Sequence, residues 1–169
     1  MVKPKSLIII ALCLAAGLVG FFIFYQTDAE KIRSQLDDLS ELVSKDGAEN
    51  QLIAATNAKK IAEIFTDPCT FEVPQTPYQD ISGKFSRQDI SAYAMSGRAS
   101  YQQISFKIYD ISINFPNEIT ADVRLTARLK TDENGGPPFD EFNELFCEFV
   151  KMEDDWYIRR VATVEVLEK

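Results

Sequence analysis

The stretch Ile119 to Lys130, "ITADVRLTARLK", alternates apolar and polar residues without a break. Ile119, Ala121, Val123, Leu125, Ala127 and Leu129 fall on one parity. Thr120, Asp122, Arg124, Thr126, Arg128 and Lys130 fall on the other. Successive strand side chains point to opposite faces, so the pattern requires a β-strand with one dry and one wet face. Such a strand cannot stand alone. Its backbone needs neighbouring strands, and its dry face needs a second layer.

The neighbours are legible. In "ISFKIYDISINF", Ile104, Phe106 and Ile108 share one parity and Ile111, Ile113 and Phe115 the other, which predicts a bulge or bend at Tyr109-Asp110. "DENGGPP" makes a turn. Phe142 to Met152 and Trp156 to Leu167 read as two more strands, joined at a tight turn around Asp154-Asp155. The second layer comes earlier. Thr27-Asp28-Ala29-Glu30 has the form of a helix-capping box, and Ile32, Leu36, Leu39 and Val43 follow at helical spacing up to the stop at Asp46-Gly47. A second helix carries Leu52, Ala55, Ala58, Ala62 and Phe65 on one stripe and ends before Pro68. Cys69, Phe71 and Val73 alternate with Thr70 and Glu72 as a short strand, a loop with Pro74 and Pro77 follows, and Ser86 caps a short helix ending near Gly97. Helices ahead of an antiparallel sheet define an α+β domain.

Upstream, Leu7 to Tyr25 carries no charge. As a helix it reaches roughly 30 Å, the thickness of a bilayer's hydrocarbon core. Lys3 and Lys5 precede it and Phe21, Phe22, Phe24 and Tyr25 end it, which predicts a single-pass anchor with a cytoplasmic N-terminus. A cleaved signal peptide is the alternative, but Thr27-Asp28-Ala29 is a poor cleavage site. The expected layout is a tip and anchor over 1–27 and an extracytoplasmic domain over 28–169, periplasmic or extracellular. Every acidic residue follows Tyr25, so that domain is more acidic than the −8 of the whole chain. It should repel nucleic acid, which is bound through excess Lys and Arg.

The sequence has no histidine. Ser-His and Cys-His nucleophile pairs and most zinc enzymes are thereby excluded. Of the three cysteines, Cys13 sits in the apolar run and no spacing suggests zinc, so neither a metal nor a cofactor is expected.

The helix-helix-strand order, the proline break in "FTDPCTFEVP", the strand "ITADVRLTARL" and the terminal "DDWYIRRVATVEV" resemble the nuclear transport factor 2-like superfamily, which includes ketosteroid isomerases and many polyketide cyclases and dehydratases. The resemblance covers roughly 28 to 169. It implies a cone, with helices packed in a curved mixed or antiparallel sheet around a cleft. It places the isomerases' catalytic Asp at Val73, which cannot accept a proton, and their second acid near Phe146 or Cys147. Its usual strand order also separates Cys69 from Cys147 by the last strand, so no disulfide is expected.

The candidate cleft-lining residues are Val73, Tyr78, Tyr93, Tyr109, Phe146, Glu148 and Arg160. Tyr side chains would donate hydrogen bonds or pack at a rim. Glu148 would face solvent or carry a raised pKa in an apolar setting. Arg160, on the parity of Trp156 and Ile158, would pair with an acid or anchor a ligand. Two functions fit these residues. One is a membrane-anchored, non-catalytic module that binds a protein partner, a second copy through the sheet, or a small apolar ligand. The other is a cone-pocket isomerase or dehydratase using Tyr and Glu.

Overall fold

The computed structural model describes residues 27–76, 79–132 and 138–164. The apolar run Leu7 to Tyr25 and Tyr78 lie outside the described residues. Among the described residues no helix is long and apolar enough to cross a membrane. The chain divides into two compact units, Met1–Lys31 and Ile32–Lys169.

Helix α1, Asp28–Val43, starts as its sequence demands. The Glu30 amide donates to Thr27 Oγ1 at 3.3 Å, and the Thr27 amide donates to the Glu30 carboxylate at 2.8 Å. Ile32, Leu36 and Leu39 are its buried stripe. A two-residue strand β1, Lys45–Asp46, precedes helix α2, Gln51–Glu63, which Asn50 caps through the Leu52 amide.

Helix α2 buries Ala54, Ala58, Ile61 and Ala62, whereas Leu52 is 75% exposed. The expected stripe of Leu52, Ala55, Ala58, Ala62 and Phe65 is thus rotated and shortened. Its last member belongs to strand β2, Phe65–Thr76. The Ile64 carbonyl already accepts from the Ile158 amide at 3.0 Å, so strand pairing captures the chain before Pro68 can end the helix. Strand β2 also continues past Pro74, where a loop was expected, and returns as β3, Gln79–Phe85. Proline cannot donate to a ladder and is tolerated at bulges. Here Pro68 lies in the register shift between Phe65 and Thr70, and Pro74 in the shift between Val73 and Thr76.

Ser86 caps helix α3, Arg87–Ser100, through a capping box with Asp89. This helix passes through Gly97 to Ser100, beyond the expected stop. Lys45 Nζ donates to the carbonyls of Arg98 and Tyr101 at 2.6 and 2.8 Å and so satisfies its C-terminal end. The meander follows as β4, Gln103–Asn117, β5, Thr120–Thr131, β6, Asp140–Met152, and β7, Asp155–Thr163. The seven strands form one sheet in the order β1-β4-β5-β6-β7-β2-β3. All pairs are antiparallel except β2 with β7, so the sheet is mixed.

One face of the sheet is dry. Ala121, Val123, Leu125 and Ala127 of β5 are buried, as the alternation requires. They join Cys69, Cys147, Phe149, Trp156, Ile158 and Val161 in a single core with Ile32, Leu36 and Leu39. The predicted bulge in β4 is present. Register passes from Tyr109↔Thr126 to Ser112↔Arg124, one residue too many on β4, and Asp110 adopts φ 53°. The extra residue keeps Phe106 and Ile108 on the inner side together with Ile111 and Ile113, and Ile104 on the same parity is buried.

Candidate functional site

The region that the family resemblance marks as a cleft is bounded here by β2, β3 and α3. Cys69 and Phe71 point inward from β2, and Phe85 points inward from β3, where it lies in register with Cys69. Gly83 stands opposite Phe71 with φ +143°, a backbone that L side chains rarely adopt. Four rings then run outward from the core: Phe65 to Phe71 at 5.7 Å, Phe71 to Phe85 at 5.5 Å, and Phe85 to Tyr93 of α3 at 5.6 Å. The last two contacts are edge-to-face, a favoured aromatic arrangement. Tyr93 is 57% exposed, so the string begins in the core and ends in water.

The structure separates the residues that sequence reasoning grouped as cleft-lining. Val73 is half-buried on the inner side of β2, and Tyr93 closes the aromatic string. Tyr78 lies outside the described residues. The other four are on the outer face, away from the core. Tyr109 pairs across from Thr126, Phe146 from Arg124 and Ala162, and Glu148 from Asp122 and Arg160. These outer positions alternate with the core residues Leu145, Cys147 and Phe149. Arg160 leaves the face of Trp156 and Ile158 for a specific reason. The β6–β7 register jumps between Glu148↔Arg160 and Phe149↔Ile158, so Arg159 is the extra residue of a bulge. Parity counted along the sequence inverts at that point.

Glu72 and Glu148 are therefore outside and engaged. Arg160 Nε donates to Glu72 at 3.0 Å and Nη2 makes the second arm of the fork. That hydrogen bond holds the Glu72 carboxyl below its usual range. Arg159 is ion-paired with Glu148. Among the described residues the inner sheet face offers the thiols of Cys69 and Cys147 as titratable groups. Burial pushes both up to about 12, so neither is a thiolate near neutrality. They belong to strands separated by β7, and both are free. Among the described residues no group of three metal-binding side chains gathers.

One buried polar cluster went unnoticed at the level of sequence. Arg98 of α3 is 4% exposed. Its Nε and Nη2 donate to Glu49 at 2.9 and 2.6 Å, and its Nη1 donates to the carbonyls of Leu42, Val43 and Ser44 at the end of α1. With Lys45 capping α3 in return, two helix ends are tied to one another. An arginine in the last turn of a helix gives no sequence signal for burial. The guanidinium binds Glu49 and positions backbone.

No protein-family model matches the sequence, and no curated protein is similar to it in sequence. Solved structures are similar in fold. A provisionally assigned scytalone dehydratase from Novosphingobium aromaticivorans superposes with a TM-score of 0.62 at 18% identity, over 80% of this chain and 82% of that one. An NTF2-like protein with a cystatin-like fold from the same organism gives 0.58 at 14% identity, over 92% and 90%. A provisionally assigned calcium/calmodulin dependent protein kinase II association domain from Xanthomonas campestris gives 0.57 at 16% identity, over 85% and 91%. The chain has the α+β cone fold of nuclear transport factor 2-like proteins. At these identities the likeness concerns the fold, and folds host sites rather than define them.

Proposed function

We propose that this chain is a non-catalytic interaction module of nuclear transport factor 2-like fold, held by the Leu7 to Tyr25 anchor with its domain outside the cytoplasm. The observation that carries the reading is the chemistry of the inner face. From Phe65 through Phe71 and Phe85 that wall is aromatic, and Val73 stands where the isomerase resemblance puts the base. A general base needs an ionisable group within hydrogen-bond reach of the substrate proton. Glu72 and Glu148, the nearest acids in sequence, face outward and are bound by Arg160 and Arg159. The fold also serves, by name, as an association domain in one of the structures it resembles.

The test uses the full chain purified in detergent and a ketosteroid substrate. The expected result is no turnover above the uncatalysed rate. Turnover that Tyr93→Phe or a substitution at Val73 abolishes would replace this reading with the cone-pocket enzyme. A reporter fused to the C-terminus checks the topology, and a cytoplasmic signal would overturn that part.

A further inference from the structure

We infer that the end of the sheet where β4 turns into β5 and β6 into β7 beds into the headgroup layer of a zwitterionic bilayer, the one that holds the anchor. This rests on the anchor in the reading above and adds the surface that the domain itself gives to the membrane. Phe115 before the first turn, Ile119 within it and Met152 before the second are 40%, 58% and 43% exposed. The two turns lie side by side, since the Lys151 amide donates to the Ile119 carbonyl at 2.8 Å. Behind them Trp156 is buried, with the Phe115 ring 5.7 Å from its own and Lys151 Nζ 5.7 Å from its centroid. Apolar side chains gathered on exposed turns mark a contact surface for a membrane or a partner.

The course of α1 shows which of these it is. Ser40 Oγ donates to the Phe106 carbonyl at 2.7 Å and Arg33 Nη2 to the Ile111 carbonyl at 3.4 Å. Going back along α1 is therefore going forward along β4, towards Phe115. Ile32, where the larger unit begins, lies toward the end of that unit at which both hairpins turn. The covalent tether from there to the apolar run is short. Tyr25 is three residues before Asp28, where α1 begins, and Ile32 is four residues further. Three extended steps reach at most about 10 Å and four helical ones about 6 Å, so about 16 Å is the longest tether available. From Ile111, beside Arg33, β4 runs on to Phe115 by about 13 Å, most of that length. Apolar side chains on an interfacial element sink about 5–10 Å into the headgroup boundary, which closes the remainder.

Charge selects the lipid. Residues 115–119 and 151–155 hold four acids, Glu118, Glu153, Asp154 and Asp155, against one base, Lys151. Anionic lipid surfaces attract basic segments and repel such a pair of turns. Zwitterionic headgroups instead present ammonium groups at the depth where these carboxylates would sit.

The experiment puts Ile119→Trp, in the full chain, into phosphatidylcholine nanodiscs whose acyl chains carry bromine, a contact quencher of indole fluorescence. Phe142→Trp, at the start of β6 and so at the opposite end of the sheet, is the control, and the wild-type signal of Trp156 is subtracted from both. Quenching at Ile119→Trp should be about twofold or more that of the control. An equal share of phosphatidylglycerol should bring it back towards the control. Quenching no greater than that of the control would mean that water or a protein covers these turns, and would overturn the inference. Quenching that anionic lipid leaves unchanged or deepens would overturn the choice of lipid. Circular dichroism unchanged from wild type verifies the fold of both variants, whose replaced side chains are exposed. A chain that never enters the nanodisc removes the anchor and this inference together. A chain that enters with Ile119→Trp unquenched removes this inference alone, because the module reading falls on turnover or on a cytoplasmic C-terminus.

Discussion

Replacing Arg98 with Met keeps the length and helix propensity of the side chain and removes its charge and donors. In the wild type the guanidinium is 4% exposed and its partner Glu49 is 11% exposed at the side chain. The variant leaves the Glu49 carboxylate with Asn57 at 3.1 Å as its remaining hydrogen-bond partner among the described residues, and with the charge of Lys45 nearby. It also strips the carbonyls of Leu42, Val43 and Ser44 of a donor at the end of α1. Removing one member of a buried pair costs about 3–5 kcal/mol, because an uncompensated charge stays behind. Domains of this size are stable by about 5–15 kcal/mol, so the loss is a large share of the total. At about 2–4 °C per kcal/mol the melting temperature should fall by roughly 10 °C.

The pH dependence has a definite sign. The Arg98 hydrogen bond holds the Glu49 carboxyl below its usual value of 4.5. A carboxylate depressed in the folded state stabilises above its unfolded value and loses that contribution as pH falls through the folded value. The wild type should therefore lose stability below about pH 4.5. The Arg98→Met variant, lacking the pair, should not lose this share, and the gap between the two should narrow in acid. Urea melts of both proteins at pH 7 and pH 4 measure it, using exposed-surface slopes to check that the same unfolding is compared. A loss under about 1 kcal/mol at pH 7, the level of a surface pair, would refute the account of Arg98 as a buried tie between helix ends.

Two further outcomes are expected. Val73→Asp places a carboxylate on the apolar inner side of β2 and should cost of order 2 kcal/mol at neutral pH. The raised pKa of that Asp makes the penalty fade as pH falls towards the value of a free Asp, and a variant as stable as wild type at pH 7 would mean that position 73 meets water. Cys69 and Cys147, buried and with their pKa values pushed up to about 12, should resist a charged alkylating reagent in the folded protein and react fully in denaturant; a linked peptide pair under non-reducing mass spectrometry would contradict the strand order.

Local pattern carried the parts of this fold that obey one period. The alternation from Ile119 to Leu129 determined which face of β5 is dry, because a regular strand has only two sides. The capping box at Thr27 and the Ile32-Leu36-Leu39 spacing determined where α1 starts and what it buries. Even the β4 bulge was legible, since the apolar parity switches at Tyr109-Asp110 and only an extra residue keeps both halves facing inward.

What the sequence left open depends on pairing between distant segments. Whether Phe65 ends a helix or begins a strand was decided by β7, whose Ile158 amide claims the Ile64 carbonyl. The return strand β3 was hidden because prolines forbid a regular ladder, and only the two register shifts around them make the pairing with β7 and β3 feasible. For the candidate site, Val73 and the apolar wall could be read locally, but Arg160 could not. Its face was set by a one-residue bulge at Arg159, which alternation along β7 does not reveal and which the register with β6 imposes. Burial of Arg98 is the same kind of fact. The sequence determined that this residue is charged; only the meeting of α1, α3 and the Glu49 loop supplied the five hydrogen bonds that let a guanidinium leave water.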